Sequence, residues 1–304
     1  MANIQELLQD YLNYLEIERN RSVKTRENYG RYLRAFLDFS KAKTEKDITL
    51  ESVRDFRIHL ARQKTAKGID YKKTTQSYYI IALRNFLKYL VKNDYSVLSP
   101  DKIELPKTPS RQIEILEYKD LERLLLSPSG SDLRSLRDRA ILEVLFSTGL
   151  RLSELCGLGR YIDIDRGELS VRGKGDKIRV VFLSEGAKKS LKNYLQKRTD
   201  AESALFISLT KAKIPKVIGR ITPRAVQRLI DYYSKAAGIP GHVHPHMLRH
   251  SYATDLLING ADLRSVQSLL GHANVSTTQI YTHLTNKELR AVHQAFHARR
   301  RSLK

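Results

Sequence analysis

The segment SPDKIELPKTPSRQIEIL, residues 99–116, separates two stretches of the 304-residue chain that have different hydrophobic patterns. The segment contains three prolines within a span of ten residues, Pro100, Pro106 and Pro109, and it shows no helical periodicity. Proline removes backbone donors and favours extended conformations, so the segment is predicted to contain a linker. The chain is also longer than a typical single domain. We therefore expect one domain over 1–103, a linker over 104–112 and a second domain over 113–304.

The residues before the linker carry four apolar stripes at the three- and four-residue spacing of amphipathic helices. The stripes consist of Ile4, Leu7, Leu8, Tyr11, Leu12 and Leu15; Tyr29, Tyr32, Leu33, Phe36 and Leu37; Val53, Phe56 and Leu60; and Tyr79, Leu83, Phe86, Leu87 and Leu90. Since each stripe needs apolar partners, we expect a bundle of four helices. Arg26, Arg31 and Arg34 surround the second stripe, which indicates either an ordinary solvated face or a surface for phosphates.

The charge of the chain favours nucleic acid as its partner. It has 54 Lys and Arg against 33 Asp and Glu, a formal net charge of +21. Such an excess opposes a compact fold by self-repulsion, and a polyanion offsets it while releasing condensed counterions. Basic residues run through both halves rather than along one amphipathic segment. Nucleic acid is therefore favoured over an anionic membrane surface.

The composition disfavours several other classes of protein. The chain has no long uncharged apolar run of the kind that forms a transmembrane helix, and its first residues do not follow the pattern of a secretory signal. A single cysteine, Cys156, allows neither an internal disulfide nor a thiolate cluster for a metal. We therefore expect a cytoplasmic protein.

The residues after the linker combine helical patterns with short strand-like runs. Helical spacing over 116–149 is followed by YIDID, GELSVRG and KIRVVFL, which begin at Tyr161, Gly167 and Lys177. Helical patterns resume after Ser184. This order predicts an α-helical domain with a small antiparallel β-sheet inserted, so the whole chain is expected to be mainly α.

Two segments of the second domain pair a turn signal with a cationic side chain. In TGLRLSEL, Arg151 follows the Gly149 turn, and helical spacing lets Glu154 orient its guanidinium. In RGKGDK, Lys174 lies between two glycines, so a flexible hairpin tip could present its ammonium to a ligand. Either segment alone is more often an ordinary surface feature.

A histidine-rich segment, HVHPHMLRHSYAT, occupies residues 242–254 and first suggests a metal site. It has no carboxylate in the arrangement of zinc proteases, however, and Arg249 in its middle would repel a cation. If a helix begins here, His246 and Arg249 share a face, and an imidazole beside a guanidinium suits an anion better than a metal. His250 is then expected to be a structural, hydrogen-bonded residue. No metal or other cofactor is predicted.

A last segment, LLGHANVSTTQIYTH, holds His272 and Tyr281, but chemistry alone does not single Tyr281 out among 16 tyrosines. The order of the four segments does. GLRLSEL, a GKG turn, HMLRHSYAT and LLGHANVSTTQIYTH follow one another as GLRxSEL, GKG, HxLRHxxAT and LLGHxxxxTTxxYTH do in the tyrosine recombinase (integrase) family. The chain resembles that family, and within it the Xer subgroup, over nearly its whole length.

The resemblance implies a fold and a mechanism. Residues 1–103 would form a four-helix core-binding (SAM-like) domain, and 113–304 a mostly α-helical catalytic domain. Tyr281 would attack a scissile phosphodiester without a cofactor, forming a 3′-phosphotyrosyl bond and freeing a 5′-hydroxyl. The residues expected to assist it are Arg151 and Arg249, which would stabilise charge on the nonbridging oxygens; Lys174, the general acid; His246, the general base; His272, a donor to a nonbridging oxygen; and Glu154, which would orient the site.

The resemblance also implies partners and a setting. These are double-stranded DNA with paired inverted half-sites, and a homo-oligomer or hetero-tetramer joined on DNA through a C-terminal helix at about 284–304. The implied role is Xer-type resolution of chromosome or plasmid dimers by a nucleoid-associated protein, and whether a DNA translocase activates it stays open. The alternatives are an integrase of a mobile element, a type IB topoisomerase-like enzyme, and a noncatalytic DNA-binding regulator in which 261–271 forms part of a helix-turn-helix.

Overall fold

The computed structural model describes residues 3–65, 68–105, 115–173, 178–212 and 215–271. The chain divides into two compact units, Met1–Arg111 and Gln112–Lys304, and each has its own hydrophobic core. The segment 104–112, which we predicted to be a linker, lies almost entirely outside the described residues.

The described part of the first unit is built from helices joined by loops. Its α-helices are α1 (Ile4–Ile17), α2 (Val23–Ser40), α3 (Leu50–Arg62) and α4 (Lys73–Lys92), with 3₁₀ turns at Glu45–Asp47 and Pro100–Lys102. Side-chain oxygens of Asn3, Ser22 and Thr49 accept backbone N–H groups in the first turns of α1, α2 and α3. These caps satisfy donors that a helix leaves open at its start, so they fix where the three helices begin.

The four apolar stripes meet in the core of this unit. All of their residues are buried except Tyr29 and Tyr32, which are half-buried and pack against the core. Of the basic residues on α2, Arg26 is half-buried and forms an ion pair with Glu16 at 3.0 Å, while Arg31 and Arg34 stay exposed. Part of the predicted basic surface is therefore engaged within the protein.

The second unit surrounds one central helix. In order it contains α5 (Tyr118–Leu126), α6 (Leu133–Thr148), α7 (Leu152–Gly157), β1 (Glu168–Arg172), β2 (Ile178–Phe182), α8 (Glu185–Lys197), β3 (Ile207–Leu209), β4 (Val217–Arg220), α9 (Pro223–Ala236), α10 (Pro245–Ile258) and α11 (Leu263–Leu270). Helix α6 contacts α5, α8, α9 and α10. The buried Arg137–Asp138 pair of α6 also bonds to the Ile207 carbonyl and the Tyr233 hydroxyl, which ties it to β3 and α9.

The mainly α fold predicted from the sequence is confirmed, with two differences in its β structure. β1 and β2 form the predicted antiparallel hairpin, but a second hairpin, β3–β4, was not predicted. The run YIDID is not a strand and instead leads into a turn, in which Asp163 accepts the Arg166 N–H with its side chain and the Gly167 N–H with its carbonyl. Aspartate commonly stabilises a turn in this way.

Within the described ranges, none of the helices is long and apolar enough to cross a bilayer. The same part of the chain contains no group of three or more His, Cys, Asp or Glu side chains arranged to hold a metal ion.

The end of α6 is expected to tolerate no side chain at Gly149. Its φ is +58°, and an added Cβ would lie 2.4 Å from Cδ1 of Tyr252. Strain in a left-handed backbone and this clash should together cost about 2 kcal/mol or more, so Gly149→Ala should lower the melting temperature of the full chain by several degrees. Differential scanning calorimetry measures the change.

Gly157→Ala is the matched control, because Gly157 ends α7 and an added Cβ meets nothing within 4 Å. It should leave the melting temperature unchanged or raise it slightly. Equal melting temperatures for the two variants would contradict the prediction.

Candidate active site

Arg151 and Glu154 meet at the start of α7, as their spacing predicted. Arg151 is not inside the helix but at its N-cap, with an extended backbone. Its backbone N–H donates to Glu154 Oε2 at 2.8 Å, and its guanidinium Nη1 donates to Glu154 Oε1 at 2.8 Å. The side chain of Glu154 is 4% exposed and that of Arg151 is 30% exposed. The buried carboxylate therefore holds a guanidinium that remains open to solvent.

Arg179 on β2 also binds this carboxylate, and the sequence did not single it out. Its Nη1 and Nη2 donate to Glu154 Oε1 and Oε2 at 2.9 and 2.7 Å, a bidentate pair. Burial alone would raise the pKa of Glu154, but hydrogen bonds from Arg179 and Arg151 outweigh it and lower the pKa to about 2. Glu154 is therefore ionised at every pH at which the protein is expected to work.

Arg249 is a buried residue of α10, the helix that the sequence suggested and that begins at Pro245. Its Nη1 donates to the carbonyl of Gly149, and its Nη2 donates to the carbonyl of Leu270 at 2.6 Å. One guanidinium thus joins the turn after α6 to the end of α11. The left-handed Gly149 is what turns the chain from α6 toward Arg151 and aims its carbonyl at Arg249.

Three arginines converge on the C-terminal end of α11. The carbonyls of Leu269, Leu270 and Gly271 accept hydrogen bonds from Arg179, Arg249 and Arg151 respectively. The preceding carbonyls of Gln267 and Ser268 accept the N–H of Gly271, which caps the helix in a left-handed conformation. Carbonyls at a helix end lack partners within the helix and carry partial negative charge, so cations stabilise them. We call Arg151, Arg179 and Arg249, together with these three carbonyls, the arginine cluster. In it, Arg249 and Arg151 bind the carbonyls of two successive residues, Leu270 and Gly271.

His246 lies next to the arginine cluster on α10, and its imidazole remains exposed. Desolvation, and then the positive charges of Arg249 and Arg151, lower the pKa of His246 below its usual value. His250, one helical turn later, is half-buried, and desolvation together with His246, Arg249 and His244 lowers its pKa to about 4. Both imidazoles are therefore neutral near pH 7.

The remaining predicted site residues, Lys174, His272 and Tyr281, lie outside the described residues. For Lys174 and His272, the residue directly before each of them is described. Lys174 follows β1 and Gly173 in the connection to β2, and His272 directly follows Gly271 of the arginine cluster.

Two family models match the chain. The model described as the phage integrase family matches residues 114–288, and the model of the phage integrase N-terminal SAM-like domain matches residues 8–94. Together they span well over half of the sequence. The chain belongs to the phage integrase family. As a family member it is a tyrosine recombinase, an enzyme that breaks and rejoins DNA strands.

Relatives of this integrase-family chain cover nearly its full length. Tyrosine recombinase XerC of Escherichia coli O157:H7 (strain EC4115) is 37% identical over 98% of both chains. The crystal structure of XerA recombinase is 35% identical, covers 96% of this chain and 98% of its own, and superposes with a TM-score of 0.53. XerH site-specific recombinase bound to a palindromic difH substrate is 24% identical, covers 95% of this chain and 84% of its own, and has a TM-score of 0.67, which shows the shared fold.

The strand pattern around Arg179 in the sequence predicts the wrong buried face. In KIRVVFL, alternation along the strand puts Arg179 and Val181 on one face and Ile178, Val180 and Phe182 on the other. The rule that apolar residues face inward favours the second set. The structure buries Val181 and most of Arg179 and leaves the second set 42–66% exposed.

Proposed function

We propose that this tyrosine recombinase is a site-specific, Xer-type enzyme that cleaves DNA with Tyr281 and forms a 3′-phosphotyrosyl intermediate. The observation that carries the proposal is the arginine cluster, in which Arg151 and Arg249 bond to successive carbonyls of the segment that leads to Tyr281. The bond from Tyr281 Oη to phosphorus would replace the bond to the 5′-oxygen, and a 5′-hydroxyl of the partner strand would reverse the step. The covalent link conserves the energy of the phosphodiester.

The arginines would supply the charge that the reaction needs. As the tyrosine attacks, negative charge builds on the nonbridging oxygens of the phosphate, and guanidinium groups stabilise it by paired hydrogen bonds. Glu154 fixes the Arg151 guanidinium from one side while that side chain stays 30% exposed. His272, next in sequence after Gly271, would donate a further hydrogen bond to the phosphate.

Two proton transfers would accompany the exchange. Tyr281 must lose a proton, and an unperturbed tyrosine does so only near pH 10, so it needs a base. His246 is suited to this role because its lowered pKa keeps the imidazole neutral and able to accept a proton. Lys174, in the connection between β1 and β2, would donate a proton to the leaving 5′-oxygen.

The decisive experiment uses a suicide DNA substrate whose nick releases a short fragment after cleavage. We expect the wild-type protein to form an adduct that survives SDS, with DNA attached to the peptide containing Tyr281 and with a free 5′-hydroxyl on the released strand. Mass spectrometry and end-labelling measure these. Attachment at another residue, or a 5′-phosphodiester linkage, would refute the proposal.

The rate of this cleavage should depend on pH through His246. Because the pKa of His246 lies below the usual value of about 6.5, the rate should change little from pH 8 to 7 and reach half of its maximum only below pH 6.5, as the base becomes protonated. His246→Gln should cleave slowly and lose this acidic fall. The exposed His242→Gln is the control and should keep the wild-type profile. A wild-type rate that already declines between pH 8 and 7 would contradict the assignment.

The partner that we propose is double-stranded DNA with paired inverted half-sites, bound by an oligomer of this chain or a hetero-tetramer. The basic composition of the protein and its similarity to Xer recombinases over nearly the full length support this choice of partner. Resolution of chromosome or plasmid dimers on the nucleoid in the cytoplasm is the proposed role. The two units are proposed to divide the work, the first in DNA binding and the second in catalysis.

The proposed assembly also involves the helix expected over about 284–304, which lies outside the described residues. Truncation after His283 should leave DNA binding within about threefold of wild type but lower strand exchange at least tenfold, because synapsis needs contacts between protomers. Gel-shift and plasmid recombination assays measure the two effects. Wild-type recombination by the truncated protein would reject the role of this segment.

A further inference from the structure

Arg179 has no role in the mechanism proposed above, yet its whole guanidinium is used within the protein. Its Nη1 and Nη2 bind Glu154, and its Nε donates to the carbonyl of Leu269 at 3.0 Å. The side chain is 11% exposed. All three guanidinium nitrogens of Arg179 are therefore engaged with acceptors on two other elements of the protein.

The bonds of Arg179 join three elements of the second unit. The residue lies on β2, Glu154 lies on α7, and Leu269 lies on α11. Each of these elements leads into a different group of the proposed reaction. The strand β2 follows the connection that contains Lys174. Arg151 is the N-cap of α7, and the chain after α11 contains His272 and Tyr281.

We propose that Arg179 is a positioning residue for DNA cleavage, which acts through Glu154 and Leu269 to hold the N-cap of α7, the strand β2 and the C-terminal end of α11 in place around Arg151. This inference rests on the proposed function. A planar guanidinium matches both oxygens of a carboxylate and still has its Nε for the carbonyl. A lysine ammonium also has three donors, but all of them lie on one nitrogen, so it does not match three acceptors that are spaced for the three nitrogens of a guanidinium.

Gly271 shows how closely Arg179 fits this place. A Cβ built at Gly271 would lie 2.9 Å from Cδ of Arg179, and the φ of Gly271 is +63°. The end of α11 therefore approaches the Arg179 side chain as near as a residue without a Cβ allows. A shorter or differently shaped side chain at 179 would leave that approach without its partner.

The test compares single-turnover cleavage of the suicide substrate at saturating DNA for wild type, Arg179→Lys, Arg179→Gln and Arg166→Lys. Misplacement by about 1 Å can cost up to about 100-fold in rate, so both Arg179 variants should cleave about 10- to 100-fold more slowly while binding DNA within about threefold of wild type. Arg166→Lys is the control, because Arg166 lies at the base of the same hairpin and its side chain is 68% exposed. It should cleave at the wild-type rate.

Two further readouts separate positioning from a general loss of structure. If Arg179 acts through Glu154, the double variant Arg179→Gln with Glu154→Gln should be no more than about twofold slower than Glu154→Gln alone, since effects within one network are not additive. Removing Arg179 takes away hydrogen bonds that lower the pKa of Glu154, so this pKa should rise from its wild-type value of about 2 even though Arg151 still binds the carboxylate. An NMR titration of the Glu154 carboxyl should therefore give a higher pKa in Arg179→Gln than in wild type, and an unchanged pKa would mean that Arg179 does not act through this carboxylate.

The outcomes distinguish this inference from the function on which it rests. If wild type forms no Tyr281 adduct, the proposed function fails. If wild type forms the adduct and Arg179→Lys cleaves equally fast, or slows only because DNA binding weakens, or adds fully to Glu154→Gln, only the role of Arg179 is overturned. If Arg179→Gln melts below the assay temperature, the same comparisons are made with Arg179→Lys and with the double variant Arg179→Lys, Glu154→Gln.

Discussion

Tyr281→Phe protein is expected to form no SDS-resistant adduct with the suicide substrate. The substitution removes one oxygen atom and keeps the ring, so the side chain can still pack but has no nucleophile. The loss should be complete within the sensitivity of the assay. DNA binding should stay within about twofold of wild type, because a single hydroxyl adds little to an interface dominated by contacts with phosphates.

The matched control for this substitution is Tyr232→Phe. Tyr232 lies on α9 and is 65% exposed, so removing its hydroxyl should not disturb the packing of the protein. This variant should form the adduct at the wild-type rate. An adduct formed by Tyr281→Phe protein would mean that another residue attacks the DNA.

Arg249→Lys should show the next largest effect. The buried Arg249 guanidinium divides its donors between the carbonyls of Gly149 and Leu270 and is proposed to bind the phosphate as well. A lysine keeps the charge but cannot span the two carbonyls, and one of them would be left buried without a donor. Cleavage should fall by a factor of about 100 to 1,000, which is the loss expected when one donor to developing negative charge is removed.

This prediction is checked by single-turnover cleavage at saturating DNA, with melting temperature measured in parallel. Arg224→Lys is the control, since Arg224 is exposed on α9. It should change neither quantity appreciably. If Arg249→Lys cleaves within threefold of wild type, the charge alone suffices and the fork of two hydrogen bonds is not required.

The helical part of the fold was accessible from the sequence because the four apolar stripes have the period of a helix and their partners lie within the same unit. The β structure was less accessible. In YIDID, two aspartates alternate with apolar residues as in a half-buried strand, but the hydrogen bonds accepted by Asp163 decide for a turn. β3 has three residues and β4 four, and their pairing gives the short runs a stability that local sequence does not show.

The candidate site divides in the same way. Arg151 and Glu154 are three residues apart, so their contact follows from local geometry. Helical spacing likewise puts His246 about one turn before Arg249 on α10. Arg179 reaches Glu154 from 25 residues away and Leu269 from 90. No periodic pattern in a single sequence predicts contacts between residues so far apart along the chain. The packing of β2 against α11 brings Arg179 to Leu269.

The arginine cluster also determines when the entropy of its side chains is lost. A free arginine side chain has about 2 kcal/mol of rotamer entropy at room temperature, which ordering removes. Because main-chain carbonyls already hold Arg151 and Arg249, part of this loss occurs when the chain folds. A phosphate bound between them, as we propose, would meet cations whose directions are set by the backbone, so DNA binding would cost less ordering and leave more of the contact energy for the reaction.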